Sequence, residues 1–228
     1  MKAISFDLDG TLVDLASFDD IFWFTTVPEI YASKNGMDLD QARKEVVGHY
    51  SAHPRTPDWY NPHYWFDHFQ FDETVEDVLN KRQWIIHVFD DVPEVLVRLG
   101  RTHDLLLVTH SSHAFMAHKL IPPLNRVFLH KISVIDEMGC MKERADVYRR
   151  IMTPWGYNTR EVLHVGDHPI YDYRVPLDAG LRAVYLDRGR KTRSVEVERG
   201  GQDDDVPPPE DTINTLDELE GWMENNLG

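Results

Sequence analysis

Asp7 and Asp9 are the first residues of the chain that could do chemistry. They stand two apart in FDLDGTLVD (residues 6–14), where a short apolar-leaning run, KAISFD, ends. That run has no helical period and predicts a strand buried on both faces. Carboxylates at a buried strand end are costly unless paired or bound to a cation. Either they close the strand in an ordinary way, or they are held there to react. What the other strand ends present decides between the two.

Three further runs read as strands: DLLLVT (104–109), VLHVG (162–166) and RAVYL (182–186). Helical stretches separate them, at 93–99, 143–153 and 170–179, with Gly or Pro at their ends. Residues 212–214 predict an edge strand and 216–227 a final helix. Alternating strands and helices joined by short loops predict an α/β fold, a Rossmann-like parallel sheet with helices on both faces. Ligands of such sheets sit outside the carboxyl ends of the strands. There the first strand offers Asp7, Asp9 and Thr11, the second Thr109, and the third Gly166, Asp167 and, a turn later, Asp172; Lys142 opens the helix between the last two strands named. Acids, hydroxyls and a cation thus meet at one edge of one sheet.

Residues 15–89 break this rhythm. They contain no short apolar strand; 38–50 and 72–84 predict helices, joined by the Pro-rich SAHPRTPDWYNPHYW. Of the 25 aromatic residues, 15 fall between Phe18 and Phe89, which predicts a separate packing unit. The expected organisation is a discontinuous core, 1–14 and 90–228, with an all-helical cap at 15–89. The acidic stretch RGGQDDDVPPPED (199–211) reads as a solvated loop. The chain carries 24 basic and 39 acidic residues, a net charge of −15. That disfavours nucleic acid and anionic membranes as partners. Cys140 is the only cysteine, no apolar run approaches a membrane span, and the first ten residues are too acidic for a signal peptide. A cytoplasmic protein, monomer or homodimer, is expected.

DLDGT (7–11), Thr109, Lys142 and GDHPIYD (166–172) together resemble the haloacid dehalogenase-like (HAD) hydrolase superfamily, in its order and at suitable separations. The insertion resembles the helical cap of its phosphoglycolate phosphatase-like branch. The chain departs from the family at His110, where asparagine is common, at Glu143, where many relatives have proline, and at Val175 and Pro176, where small residues are typical. Lys131 competes with Lys142 for the role of phosphate-binding lysine.

The resemblance implies a phosphatase. Asp7 would attack phosphorus and carry the phosphoryl group, and Asp9 would act as general acid and then base. Gly10 would permit the turn that re-aims Asp9, while Thr109 and Lys142 would offset charge on the transferring oxygens. Gly10, Thr11 and His110 would line the substrate, and Arg55 in the Pro-rich turn could meet a carboxylate or second phosphate. Acids gathered beside an anionic substrate need counter-charge, and Mg²⁺ takes hard oxygen ligands. The resemblance assigns those to the Asp7 carboxylate, the Asp9 carbonyl and Asp167, with Asp172 in support. The expected substrate is a small phosphorylated metabolite. Asp9 argues against a haloacid dehalogenase, which carries tyrosine there, and against a phosphonate-cleaving relative, which has alanine. A phosphomutase shares both acids. A phosphoaspartate signalling domain would also gather acids, Thr and Lys at a sheet edge, but needs no cap.

Overall fold

In the computed structural model, which describes residues 1–189 and 209–227, six parallel strands form one sheet. They are β1 (Ala3–Phe6), β2 (Asp104–Thr109), β3 (His130–Ser133), β4 (Val162–Gly166), β5 (Arg182–Leu186) and β6 (Thr212–Ile213), in the order β3-β2-β1-β4-β5-β6. β3 is absent from the sequence expectation. It is an outer strand whose His130 and Lys131 are not buried, so it presents no apolar run to read. Phe6 of β1 lies opposite Leu107 of β2 and Val165 of β4, which brings three strand ends level.

Between β1 and β2 the chain is helical: α1 (Asp19–Ile21), a π-helical turn (Phe22–Thr26), α2 (Val27–Asn35), α3 (Leu39–Ala52), α4 (Pro57–Tyr60), α5 (Pro62–His68) and α6 (Val75–Lys81). The Pro-rich stretch, expected as a joining segment, holds two of these helices. Pro57 and Pro62 open them, where a missing N–H leaves no bond unmade. The helix expected over 72–84 is confined to α6. Thr74 and Asp77 form a reciprocal cap that fixes its start. Phe18, Phe22, Val46, Trp65, Phe66, Val78 and Leu79 pack into a cluster of their own, joined by Phe115 from beyond β2. The chain enters and leaves this unit through paired crossings: Val13 bridges Val88 antiparallel, and Asp14 N–H donates to the His87 carbonyl at 2.8 Å.

The remaining helices are α7 (Val92–Leu99), α8 (His113–Lys119), α9 (Leu124–Val127), α10 (Val134–Met138), α11 (Ala145–Met152), α12 (Val175–Ala179) and α13 (Leu219–Leu227). Alternate residues of the central strands divide between two apolar layers. Ile4, Phe6, Leu105, Leu107, Leu163 and Val165 meet Val95 and Leu96 of α7 and Leu219 of α13. Ala3, Leu106, Val108 and Val162 meet Val147 and Ile151 of α11 and Ala179 of α12. Helices cover both faces, as a fully parallel sheet requires. Of the expected acidic loop, residues 199–208 lie outside the described residues. Among the described residues no helix is long and apolar enough to cross a membrane.

Candidate active site

Strand order reverses between β1 and β4, and the crevice beyond their carboxyl ends is where such sheets bind ligands. Asp7 follows β1 directly and its N–H donates to the Val165 carbonyl (2.9 Å), continuing the ladder onto β4. One carboxylate oxygen from each of Asp7, Asp167 and Asp172 lies within 4.8 Å of the others. Two glycines make this crowding feasible. Gly10 has φ +82°, and a Cβ on it would fall 2.4 Å from Asp167 Oδ2; a Cβ on Gly166 would fall 2.5 Å from Asp172 Cβ. Gly10 therefore does more than turn the chain, since it also vacates the space that Asp167 fills. The Thr11 hydroxyl donates to Asp167 Oδ1 at 3.2 Å, so Thr11 and Gly10 shape an acid and do not line the cleft.

Lys142 sits in a turn three residues before α11, not in a helix as its sequence context suggests. This lets the side chain run down between the strand tips. Its ammonium donates to Asp7 Oδ1 (2.6 Å), Asp172 Oδ1 (2.7 Å) and the Val108 carbonyl (3.2 Å), and its backbone N–H donates to His110 Nε2 (2.7 Å). Lys131, the competing lysine, is exposed on β3. Asp172 is also approached by His164 Nε2 (3.1 Å) and accepts from the His168 N–H at 3.1 Å. Tyr148 completes the network, its hydroxyl 3.1 Å from His164 Nε2.

Burial pushes the Asp7 carboxyl well above its ordinary range, and Lys142 only partly counters it. Asp172 behaves oppositely: burial opposes ionisation, but Lys142 and His164 hold it far below the usual carboxylate range. Burial also works against the charge on Lys142, yet Asp172 and Asp7 outweigh it and keep the ammonium protonated. Burial, reinforced by Lys142, lowers His110 well below the ordinary histidine value.

Asp9 turns away from these acids. Its Oδ1 accepts from Lys119 Nζ at 2.6 Å, and Lys119 also reaches Asp19 (2.8 Å) and Ser111 Oγ (3.3 Å). Thr109, His110 and Ser111 floor the cleft, and Trp23, Phe24, Tyr50, Trp59, Tyr60 and Trp65 wall it from the insertion. Thr109 Oγ1 accepts from the Ser111 N–H (3.0 Å), whereas α8 is capped by Ser112. The Arg55 guanidinium stacks on Trp59, one of these walls, 4.3 Å from the ring centroid. Tyr60 meets His110 with ring centroids 5.0 Å apart, a direct contact of insertion with core.

Sequence reasoning missed Lys119, Asp19, Ser111 and His164. The signal for Lys119 was its phase: it stands four residues after Phe115, on the face of α8 that is otherwise apolar. His164 was likewise visible as the one ionisable residue inside the VLHVG run.

A sequence profile described as haloacid dehalogenase-like hydrolase matches residues 1–180. The chain belongs to this family. Among solved structures, a HAD phosphatase from Thermococcus onnurineus superposes with a TM-score of 0.81 at 22% identity, over 98% of each chain. A 2-haloacid dehalogenase from Pseudomonas syringae pv. Tomato DC3000 gives 0.62 at 18% identity over 99% of each chain. At these identities the two structures share the HAD fold with this chain. The GMP/IMP nucleotidase YrfG of Escherichia coli (strain K12) is 38% identical over 72 residues, 32% of either protein. The matched stretch is thus about a third of that relative's length.

Proposed function

We propose that this HAD hydrolase is a Mg²⁺-dependent phosphatase of small phosphomonoesters that works through an aspartyl-phosphate on Asp7. The observation that carries the reading is the convergence of Asp7, Asp167 and Asp172 beside the Lys142 ammonium, at the tips of β1 and β4. The donor set is all oxygen, which suits a hard cation such as Mg²⁺. The upward push on Asp7 needs a positive charge beyond Lys142 if that carboxylate is to be a nucleophile. The Asp7 and Asp167 carboxylates and the Asp9 carbonyl would hold the ion, with Asp172 in support. When bound, it would neutralise charge shared by the carboxylates and the phosphoryl oxygens.

The chain's own groups then divide the work. An Asp7 oxygen attacks phosphorus, and the bond to the leaving oxygen breaks as Asp9 delivers a proton to it. Water attacks the phosphoryl group in the second step, giving its proton to Asp9 and releasing Asp7. Lys142 and the Thr109 hydroxyl offset the charge on the phosphoryl oxygens. A dehalogenase expels halide and needs no such acid, so Asp9 favours phosphoryl transfer.

The aromatic wall suits a flat leaving group. Stacking a base on an aromatic side chain contributes about 1–3 kcal/mol. With the nucleotidase relative, this supports nucleoside 5′-monophosphates as substrates, in the cytoplasm, where a lone cysteine is at home. A panel of phosphorylated metabolites assayed with Mg²⁺ and with chelator tests the reading. Nucleotides should exceed sugar phosphates and phosphoglycolate, and Asp7→Asn should fall to background. Turnover that survives Asp7→Asn, or that ignores chelation, overturns it.

A further inference from the structure

Lys119 is fully buried, at 0% exposure, yet none of the steps above uses it. It ends α8, and its three N–H donors have three acceptors drawn from separate segments: Asp9 after β1, Asp19 in α1 of the insertion, and Ser111 after β2. Phe18 and Phe115 flank the ammonium, each ring centroid 5.1 Å away. Sinking an ammonium among aromatic rings is costly unless its partners are well placed. A surface lysine at this position would spare that cost, but its field would be screened by solvent and salt.

We propose that Lys119 is a positioning residue for Asp9, holding its carboxylate on the insertion side of the cleft where the leaving group must sit. The inference rests on the phosphatase reading, in which Asp9 is the proton carrier. Without Lys119, the Lys142 ammonium among the acids and a divalent ion bound there would draw Asp9. The carboxylate would turn towards the other acids and away from the leaving oxygen. Because Asp19 holds the far side of the same ammonium, the placement of Asp9 also depends on the insertion being seated on the core.

The dependence of kcat/KM on the leaving group separates this role from a merely structural one. kcat/KM reports the phosphoryl transfer to Asp7, before water enters. A nucleoside 5′-monophosphate expels a poor alkoxide and needs the acid, while 2,4-dinitrophenyl phosphate expels a stable phenolate and does not. General acids contribute about 10²–10⁴-fold. Lys119→Met should therefore lose about 10²-fold on the nucleotide and less than about threefold on the dinitrophenyl ester. Equal losses on both esters, or no loss on either, overturn the proposal. Asp9→Asn, run alongside, must itself show the selective loss. If it does and Lys119→Met does not, only the role of Lys119 falls; if it does not, the acid role of Asp9 falls and takes this inference with it. Should Lys119→Met fail to fold, Asp19→Asn decides. A smaller loss confined to the nucleotide supports the proposal, and an unselective effect overturns it.

Discussion

Replacing Gly10 with alanine separates what the turn costs from what it positions. At φ +82° an alanine pays the left-handed penalty, about 1–2 kcal/mol. The added methyl would also stand 2.4 Å from Asp167 Oδ2 and 2.7 Å from its Cγ, closer than any real contact, so the carboxylate must swing away. That breaks its bond from the Thr11 hydroxyl, a further loss of about 0.5–1.5 kcal/mol. The sum is about 1.5–3.5 kcal/mol of stability. A displaced acid should weaken Mg²⁺ binding and cost about 10²-fold in kcat, the usual penalty for a misplacement near 1 Å. Gly36→Ala is the control. Gly36 has φ +63°, and a methyl there would meet nothing within 4 Å, so the variant should lose about 1–2 kcal/mol and no activity. Urea denaturation gives the stabilities, and Mg²⁺ titration of phosphatase activity gives the rest. If Gly10→Ala keeps wild-type Mg²⁺ affinity and kcat, the claim that Gly10 makes room for a metal-binding acid is wrong.

Lys142→Met leaves Asp7 and Asp172 facing each other without the ammonium between them, a break that typically costs about 3–5 kcal/mol. Saturating Mg²⁺ should restore part of that loss, seen as a larger metal-induced shift in the denaturation midpoint than wild type shows; an equal shift refutes the pairing argument. Asp19 is raised from 3.8 to about 7, chiefly by burial and against the pull of Lys119. The folded chain keeps a proton there that the unfolded chain releases above pH 3.8. The stability from this group is therefore greatest below that value and is lost as pH rises through about 7. Asp19→Asn should flatten this slope when denaturation midpoints at mildly acidic and neutral pH are compared.

Strands whose residues are buried on both faces were legible, because burial forces an unbroken apolar run: β1, β2, β4 and β5 each show one. β3 was not, since this outer strand buries only Ile132 and Ser133 and its first half can be polar. Within the site, legibility followed the same logic of position. Asp7, Thr109 and Asp167 are fixed by where a strand stops, which sequence reports well. Lys142 is legible through family spacing, although its turn reads as a helix start. Lys119 and Asp19 meet only because the insertion folds back onto α8, a contact across 100 residues that no local pattern encodes. Arg55 stacks on Trp59 of the same Pro-rich turn, a wall of the cleft, a pairing within the turn that sequence does not report.

On the phosphatase reading, the charge pattern shows how a chain with a net charge of −15 could accept an anionic substrate. Five carboxylates line the cleft, those of Asp7, Asp9, Asp19, Asp167 and Asp172, and two ammonium groups meet them, from Lys119 and Lys142. Both lysines are buried, so each acts at short range on named acids and neither projects a broad positive field. With every carboxylate ionised the cleft would carry an excess of three negative charges, and the raised Asp7 and Asp19 carboxyls hold protons against that excess until a cation arrives. Two like charges 4 Å apart repel by about 4 kcal/mol at an effective dielectric near 20, so a phosphate dianion entering alone would meet several such penalties together. A divalent ion among Asp7, Asp167 and Asp172 cancels two of those charges where the phosphoryl oxygens must come. On this argument the ion and the substrate bind with positive coupling, and the apparent affinity for phosphate should rise with Mg²⁺ concentration. An affinity for inorganic phosphate that stays constant across a Mg²⁺ titration, measured by calorimetry, would show that the protein's own cations suffice.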